Sequence, residues 1–160
     1  MNLPHMAKFS ISPSVSEKQI AVGVGAVVFR GADILVIRRG KPPFEGRWSI
    51  PGGILHHGER LEVAVRREVR EETGLEIAIG GLVGVFEAIP GSHPDPTFDR
   101  HVVMIDYWAT SEVGAPVADD DAAAAEFVNL ADALRRVSWD ETRRAIEAAA
   151  KLRDIAFGRP

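Results

Sequence analysis

From Glu59 to Thr73 the chain runs without proline or glycine, and Gly74 follows where a left-handed residue closes a helix. This stretch constrains the chain more than any other. At about 100° per residue, Leu61, Ala64, Val65 and Val69 fall in one stripe that has to face a core. Glu68 and Glu72 occupy the same angular range, and Glu71 lies beside them. Like charges three or four residues apart destabilise a helix by a few tenths of a kcal/mol per pair. Partial burial adds to that cost. A divalent cation removes both penalties, because carboxylate oxygens are its natural hard ligands. The competing reading is a solvated acidic face balanced by Arg66, Arg67 and Arg70.

Around this helix the chain alternates short apolar runs with turns. Residues 20–29 are apolar and β-branched and read as a buried strand. A turn at residues 30–33 leads into a second strand at 34–38, which predicts a hairpin. The Pro- and Gly-rich segment 39–46 reads as a loop, 47–50 as a short strand, and Pro51-Gly52-Gly53 as a break. Residues 75–79, 82–89 and 101–109 read as strands, and the proline-containing segment 90–100 as a loop. Residues 113–125 read as a mixed loop, 126–129 as a short strand and 130–136 as a short helix. Ser138 and Glu141 have the spacing of a capping box that opens a last helix, through about residue 156. The sum is a single α/β (α+β) domain over residues 19–158, preceded by a flexible N-terminal arm at 1–18.

The chain has no cysteine, which excludes disulfides, thiolate metal sites and cysteine nucleophiles. That agrees with a reducing compartment, and a cytoplasmic location is the expectation. A formal net charge of -4 argues against binding a nucleic-acid polymer. A small phosphate compound still binds an acidic protein when divalent cations lie between them. No apolar run approaches the ~20 residues of a membrane span, and the N-terminus shows no signal-peptide pattern.

Gly53, Glu59, Arg67, Glu68, Val69, Glu71, Glu72, Gly74 and Leu75 stand at the spacing Gly, five residues, Glu, seven residues, Arg-Glu-apolar-any-Glu-Glu-any-Gly-apolar. This resembles the Nudix box in full. Chance would produce it in on the order of one in ten million chains. The resemblance implies the Nudix fold, a mixed β-sheet sandwiched between α-helices. It implies Mg²⁺ as cofactor, with Mn²⁺ as a possible substitute. It implies that Glu68, Glu71 and Glu72 hold the metals, with the Gly53 carbonyl adding a ligand. Arg67 then orients a catalytic Glu, and Glu59 is a ligand or stands behind one. Glu68 is left as ligand or general base. Asp119, Asp120, Asp121 and Glu126 are the candidate bases outside the box. A homodimer is a further possibility suggested by relatives.

A diphosphate is kinetically inert because its anionic oxygens repel a nucleophile. Metals that bridge those oxygens neutralise developing charge and acidify bound water. Arg47, Arg39 and Phe44 are the candidate substrate contacts. Arginine suits bidentate phosphate binding, and Phe44 offers a face for stacking on a base. Arg38, Lys41, Trp48, His56, His57 and Glu87 are weaker candidates, with Trp48 and Phe86 expected mainly in the core. The box implies a nucleoside diphosphate linked to another group as the small-molecule substrate. The loop from Arg39 to Gly53 resembles the ADP-ribose pyrophosphatase subgroup, which implies ADP-ribose as substrate and AMP and ribose 5-phosphate as products. The alternatives are an (oxidised) nucleoside triphosphate pyrophosphatase and a non-catalytic nucleotide-sensing module.

Overall fold

The computed structural model describes residues 19–92, 95 and 98–158. The arm expected at 1–18 lies outside the described residues. Ten elements follow in the order β1 (Ala21–Arg30), β2 (Asp33–Arg39), β3 (Trp48–Ser49), β4 (Gly52–Ile54), α1 (Leu61–Thr73), β5 (Ala78–Ala88), β6 (Val102–Thr110), β7 (Ala122–Val128), α2 (Leu130–Arg136) and α3 (Asp140–Ala156). The strands form one seven-stranded mixed sheet. β1 lies at its centre, parallel to β6 and antiparallel to β2 and β4. β5 closes one edge against β6, while β3 and β7 pair with β2.

The continuous apolar run of β1 has a physical cause: both faces of the strand are covered. Val24, Ala26 and Val28 point to one side and pack with Ala64, Val65 and Val69 of α1. Val27 and Phe29 point to the other side and pack with Ala145, Ile146 and Ala149 of α3. β2 divides in the same way, with Leu35 towards α1 and Ile34 and Val36 towards α3. The sheet is therefore sandwiched between helices as expected. Each buried Val or Ile contributes about 1.5–3 kcal/mol, so the two clusters hold α1 and α3 to opposite faces.

Several local expectations are corrected. The break at Pro51-Gly52-Gly53 contains a strand, because β4 pairs with Gly23, Val24 and Gly25 of β1. The backbones approach so closely that a Cβ on Gly52 would collide with the Val24 carbonyl oxygen. The two strands expected at 75–79 and 82–89 are one strand, β5. Its register with β6 shifts between Ile79 and Gly81 and again between Leu82 and Gly84. Gly80 lies against the Trp108 ring, where any Cβ would clash. These glycines mark a close approach and bulges, with the strand continuing through them. β7 begins at Ala122, inside the expected loop, because pairing with β2 overrides the weak strand propensity of alanine.

The capping box is absent. α3 starts after Trp139 with no side-chain cap, and Glu141 pairs with Arg144 at 2.9 Å. Val137 bridges to Trp48 and keeps this stretch extended too far for Ser138 to cap. α1 likewise starts at Leu61, not Glu59, because the Glu59 carboxylate accepts the His56 N–H at 3.1 Å and lies ahead of the first turn. Its end is as expected: Gly74 has φ +70° and donates its N–H to the Arg70 carbonyl at 2.8 Å. No helix among the described residues is long and apolar enough to cross a membrane.

Two glycine substitutions separate a local from a tertiary constraint. Gly74→Ala forces a left-handed alanine and is expected to cost about 1 kcal/mol. Gly52→Ala forces β4 away from β1 and is expected to cost more, about 3 kcal/mol. Urea unfolding of both variants checks the order, and equal small losses would show that the β1–β4 approach is not a constraint.

Candidate active site

A cleft of about 520 Å³ opens where α1, β4, the loop after β2 and the loop before β7 meet. Glu68, Glu71 and Glu72 line it together with Arg67, Gly52 and Gly53. The helical stripe inferred from sequence explains the placement. Val65 and Val69 anchor α1 against the sheet, and the same face carries Glu68 and Glu72 down with it. Glu72 is only 1% exposed and Glu68 9% exposed. Glu71 lies on the flank of the helix and is half-exposed. The structure thus decides between the two readings of the acidic cluster. Two of the three carboxylates are buried against β4, so this is not a solvated face.

Gly52 and Gly53 make room for them. The Gly52 N–H donates to a Glu72 carboxylate oxygen at 2.9 Å. A Cβ on Gly53 would land on the Glu68 carboxylate. Gly53 itself stands opposite Val24 in the β1–β4 pair, at the edge of the cleft.

Arg67 organises the acidic residues. Its Nε donates to one Glu59 oxygen at 2.8 Å and its Nη2 to the other at 2.9 Å. Its Nη1 donates to Glu68 at 2.7 Å and to Glu71 at 3.0 Å. Nη2 also reaches the Ile54 carbonyl at 3.3 Å. This fork geometry is specific to a guanidinium. The consequences differ by site. The Arg67 hydrogen bonds hold Glu59 down to about 2. Glu68 is pushed up by burial, which the neighbouring Arg67 opposes. Glu72 is pushed up to about 8, by burial first, with the Gly52 N–H acting against it. Glu59 accepts from two nitrogens of Arg67 and from the His56 N–H, which engages both of its oxygens.

The donor set fits a hard divalent cation. It is all carboxyl oxygen, two of the three groups are drawn out of water, and Glu72 has one hydrogen bond to offset its charge when it ionises. Among the described residues no three acidic or histidine side chains already converge on one point. Arg67 draws Glu68 and Glu71 towards itself, so a shell formed by Glu68, Glu71 and Glu72 requires those two side chains to turn from it.

Other candidates are sorted by the fold. Arg39, Phe44 and Arg47 line the cleft, as do Trp48 and His56. Arg39 donates to the Pro43 carbonyl at 2.8 Å and its charge acts on Glu72. Phe44 packs on Phe98 with ring centroids 5.1 Å apart and is part of a wall. The Asp119 N–H donates to the Glu72 carbonyl at 3.1 Å, and this brings the loop before β7 over the end of α1. Asp120 and Asp121 consequently line the cleft, where Lys41 pairs with Asp121 at 2.7 Å. Asp119 does not line it. Neither does Glu126, which pairs with Arg136 at 2.7 Å. Arg38, His57 and Glu87 also lie off the cleft, and Phe86 packs in the core as expected. Glu87 faces His101 at 3.4 Å. Sequence reading missed Met104, Asp106, Trp139 and Thr142, which wall the cleft from β6 and the start of α3. For Asp106 there was a signal: it is the one charged residue in the otherwise apolar strand β6.

The match to known proteins agrees with this arrangement. A family model described as NUDIX domain matches residues 19–149. An ADP-ribose pyrophosphatase from Methanocaldococcus jannaschii is 37% identical over 123 residues, covering 77% of this chain and 69% of that protein. A putative 8-oxo-dGTP diphosphatase 2 from Mycobacterium tuberculosis is 45% identical over 78 residues, covering 46% of this chain and 54% of that one. The crystal structure of a MutT NUDIX hydrolase from Burkholderia pseudomallei superposes with a TM-score of 0.66 at 30% identity, covering 81% of this chain and 98% of that one. With a complete box seated on a cleft, and with this breadth of similarity, the chain belongs to the Nudix family of pyrophosphohydrolases.

Proposed function

We propose that the protein uses Mg²⁺ to hydrolyse ADP-ribose to AMP and ribose 5-phosphate. The observation that carries the hydrolytic reading is the pair of desolvated carboxylates, Glu68 and Glu72, on the wall of a nucleotide-sized cleft. The likeness to the M. jannaschii ADP-ribose pyrophosphatase supports the substrate. Mg²⁺, or Mn²⁺ in its place, supplies charge neutralisation on the diphosphate and a more acidic water. Glu71 and Glu72 hold the metal, and Glu68 serves as ligand or takes a proton from the attacking water. Arg67 holds Glu68 and Glu71 through hydrogen bonds that both would exchange for the metal. Arg39 and Arg47, which line the same cleft, hold the phosphate oxygens. One phosphorus–oxygen bond forms to the water oxygen as the bridging one breaks, and the leaving phosphate takes up a proton.

The second reading is a nucleoside triphosphate pyrophosphatase, favoured by the likeness to the putative 8-oxo-dGTP diphosphatase over 78 residues. ADP-ribose and 8-oxo-dGTP, incubated separately with Mg²⁺, distinguish them. AMP as the main product of the first compound supports our proposal. Release of pyrophosphate from the second, with ADP-ribose untouched, replaces it. Loss of neither compound in the presence of Mg²⁺ or Mn²⁺ leaves the catalytic reading without support.

Glu72→Gln is expected to lower kcat by roughly 10²-fold or more. It should not lower stability in chelator, because it removes a buried acid with one hydrogen bond. The pH dependence follows from the same residue. The ordinary carboxyl value is 4.5 and the folded value about 8. Between them the unfolded chain binds fewer protons than the folded one, so stability falls as pH rises through that window. Thermal melts in chelator should therefore drop from pH 5 to pH 8 in the wild type and stay flatter in Glu72→Gln. Added Mg²⁺ should restore the wild-type loss. Parallel wild-type and variant curves would contradict the burial of this carboxyl.

A further inference from the structure

The cleft extends beyond the acidic residues. Ile105, Tyr107 and Ala109 of β6 pack on the α1 side of the sheet, while Trp108 packs on the α3 side. By strand alternation Met104 and Asp106 share the Trp108 side, opposite the helix that carries Glu68 and Glu72. Asp106 is 2% exposed and still lines the cleft. Its neighbours in register are both glycines, Gly25 of β1 and Gly84 of β5. Its side chain leans over the first: a Cβ on Gly25 would stand 2.5 Å from Asp106 Oδ1 and 3.3 Å from Ile50 Cδ1. No described residue donates a hydrogen bond or presents a cation to this carboxyl, and burial alone shifts it.

An unpartnered buried polar group costs stability. Ile50, Met104 and Trp139 give the same cleft apolar and aromatic lining, and Ile50 meets the Asp106 carboxyl over Gly25. Such a chamber suits a flat heterocycle with one polar edge. A phosphate would face an acid there with no cation beside it.

We propose that the Asp106 carboxyl determines specificity by hydrogen-bonding the polar edge of the substrate's nucleobase, held between Ile50, Met104 and Trp139. This rests on the reading of the substrate as a nucleotide. Burial pushes the Asp106 carboxyl up to about 7. In its protonated form it presents one donor and one acceptor, which match the paired acceptor and donor on a base edge. Gly25 leaves it the space to do so.

The test is binding without turnover, since nucleoside monophosphates have no diphosphate bond to break. AMP, GMP, CMP, UMP and ribose 5-phosphate are titrated into the protein at pH 6 with Mg²⁺ and followed by calorimetry. At least one nucleotide should bind about tenfold or more tighter than ribose 5-phosphate. Asp106→Val should lose most of that advantage without a lower melting temperature. Asp106→Asn, which keeps a donor and an acceptor, should retain it within about threefold. If Asp106→Val does not fold, Gly25→Ala decides against Asp106→Asn, because its added Cβ displaces the carboxyl and should remove the preference that Asn keeps. The proposal is overturned if no nucleotide outbinds ribose 5-phosphate, if Asp106→Val keeps the preference, or if Gly25→Ala and Asp106→Asn bind alike. A protein that discriminates bases through Asp106 but hydrolyses neither ADP-ribose nor 8-oxo-dGTP would refute the proposed function and leave this assignment standing.

Discussion

The contact between β4 and the rest of the molecule is made almost without side chains, and the site depends on it. Gly52 lies against the backbone of Val24, and in that position its N–H reaches Glu72. Gly53 leaves a space that the Glu68 carboxylate fills. Two adjacent glycines thereby join the central strand of the sheet to the acidic face of α1. Move β4 outward by the width of a methyl group and both carboxylates lose their setting. The fold and the candidate chemistry share this constraint, and neither can be relaxed alone.

Electrostatics then sets three nearby glutamates apart. Arg67 saturates Glu59 and holds it ionised, while burial drives Glu72 the other way. Glu68 lies between these extremes, opposed by burial and helped by the same guanidinium. A protein in water alone gains little from such an arrangement, since a desolvated acid lowers stability as it ionises. The arrangement is economical when a cation shares the charge. It is the reason the acidic face reads as a reactive one and not as a decoration of the surface.

Much of this was legible in the sequence. The absence of helix breakers from Glu59 to Thr73, the Gly74 stop and the angular position of Glu68 and Glu72 are local properties of the chain. So are the doubly buried run of β1 and the hairpin into β2. The box spacing added the family, and the comparisons agree with it. What escaped was set by partners distant in sequence. Pro51-Gly52-Gly53 carries every local mark of a break, yet pairs as a strand because β1 offers it a groove. Gly80 and Gly81 look like an interruption, yet β5 continues through them because Trp108 occupies the space where side chains would stand. Ser138 and Glu141 look like a cap, but the Val137 bridge to Trp48 keeps the chain extended past them.

The sequence by itself determined which residues carry charge to the core side of α1, because helical periodicity is a property of consecutive residues. It also determined the family and the oxygen-only character of the candidate metal site. Tertiary structure alone decided that Glu72 is sealed while Glu71 is half-exposed, since burial depends on what packs opposite. It decided that Asp120 and Asp121 reach the cleft while Asp119 and Glu126 do not, through one backbone hydrogen bond to the end of α1 and one ion pair to Arg136. And it brought Asp106 to the cleft wall between two glycines, a placement that arises only when the distant strand β1 aligns in register with the neighbouring pair β5 and β6.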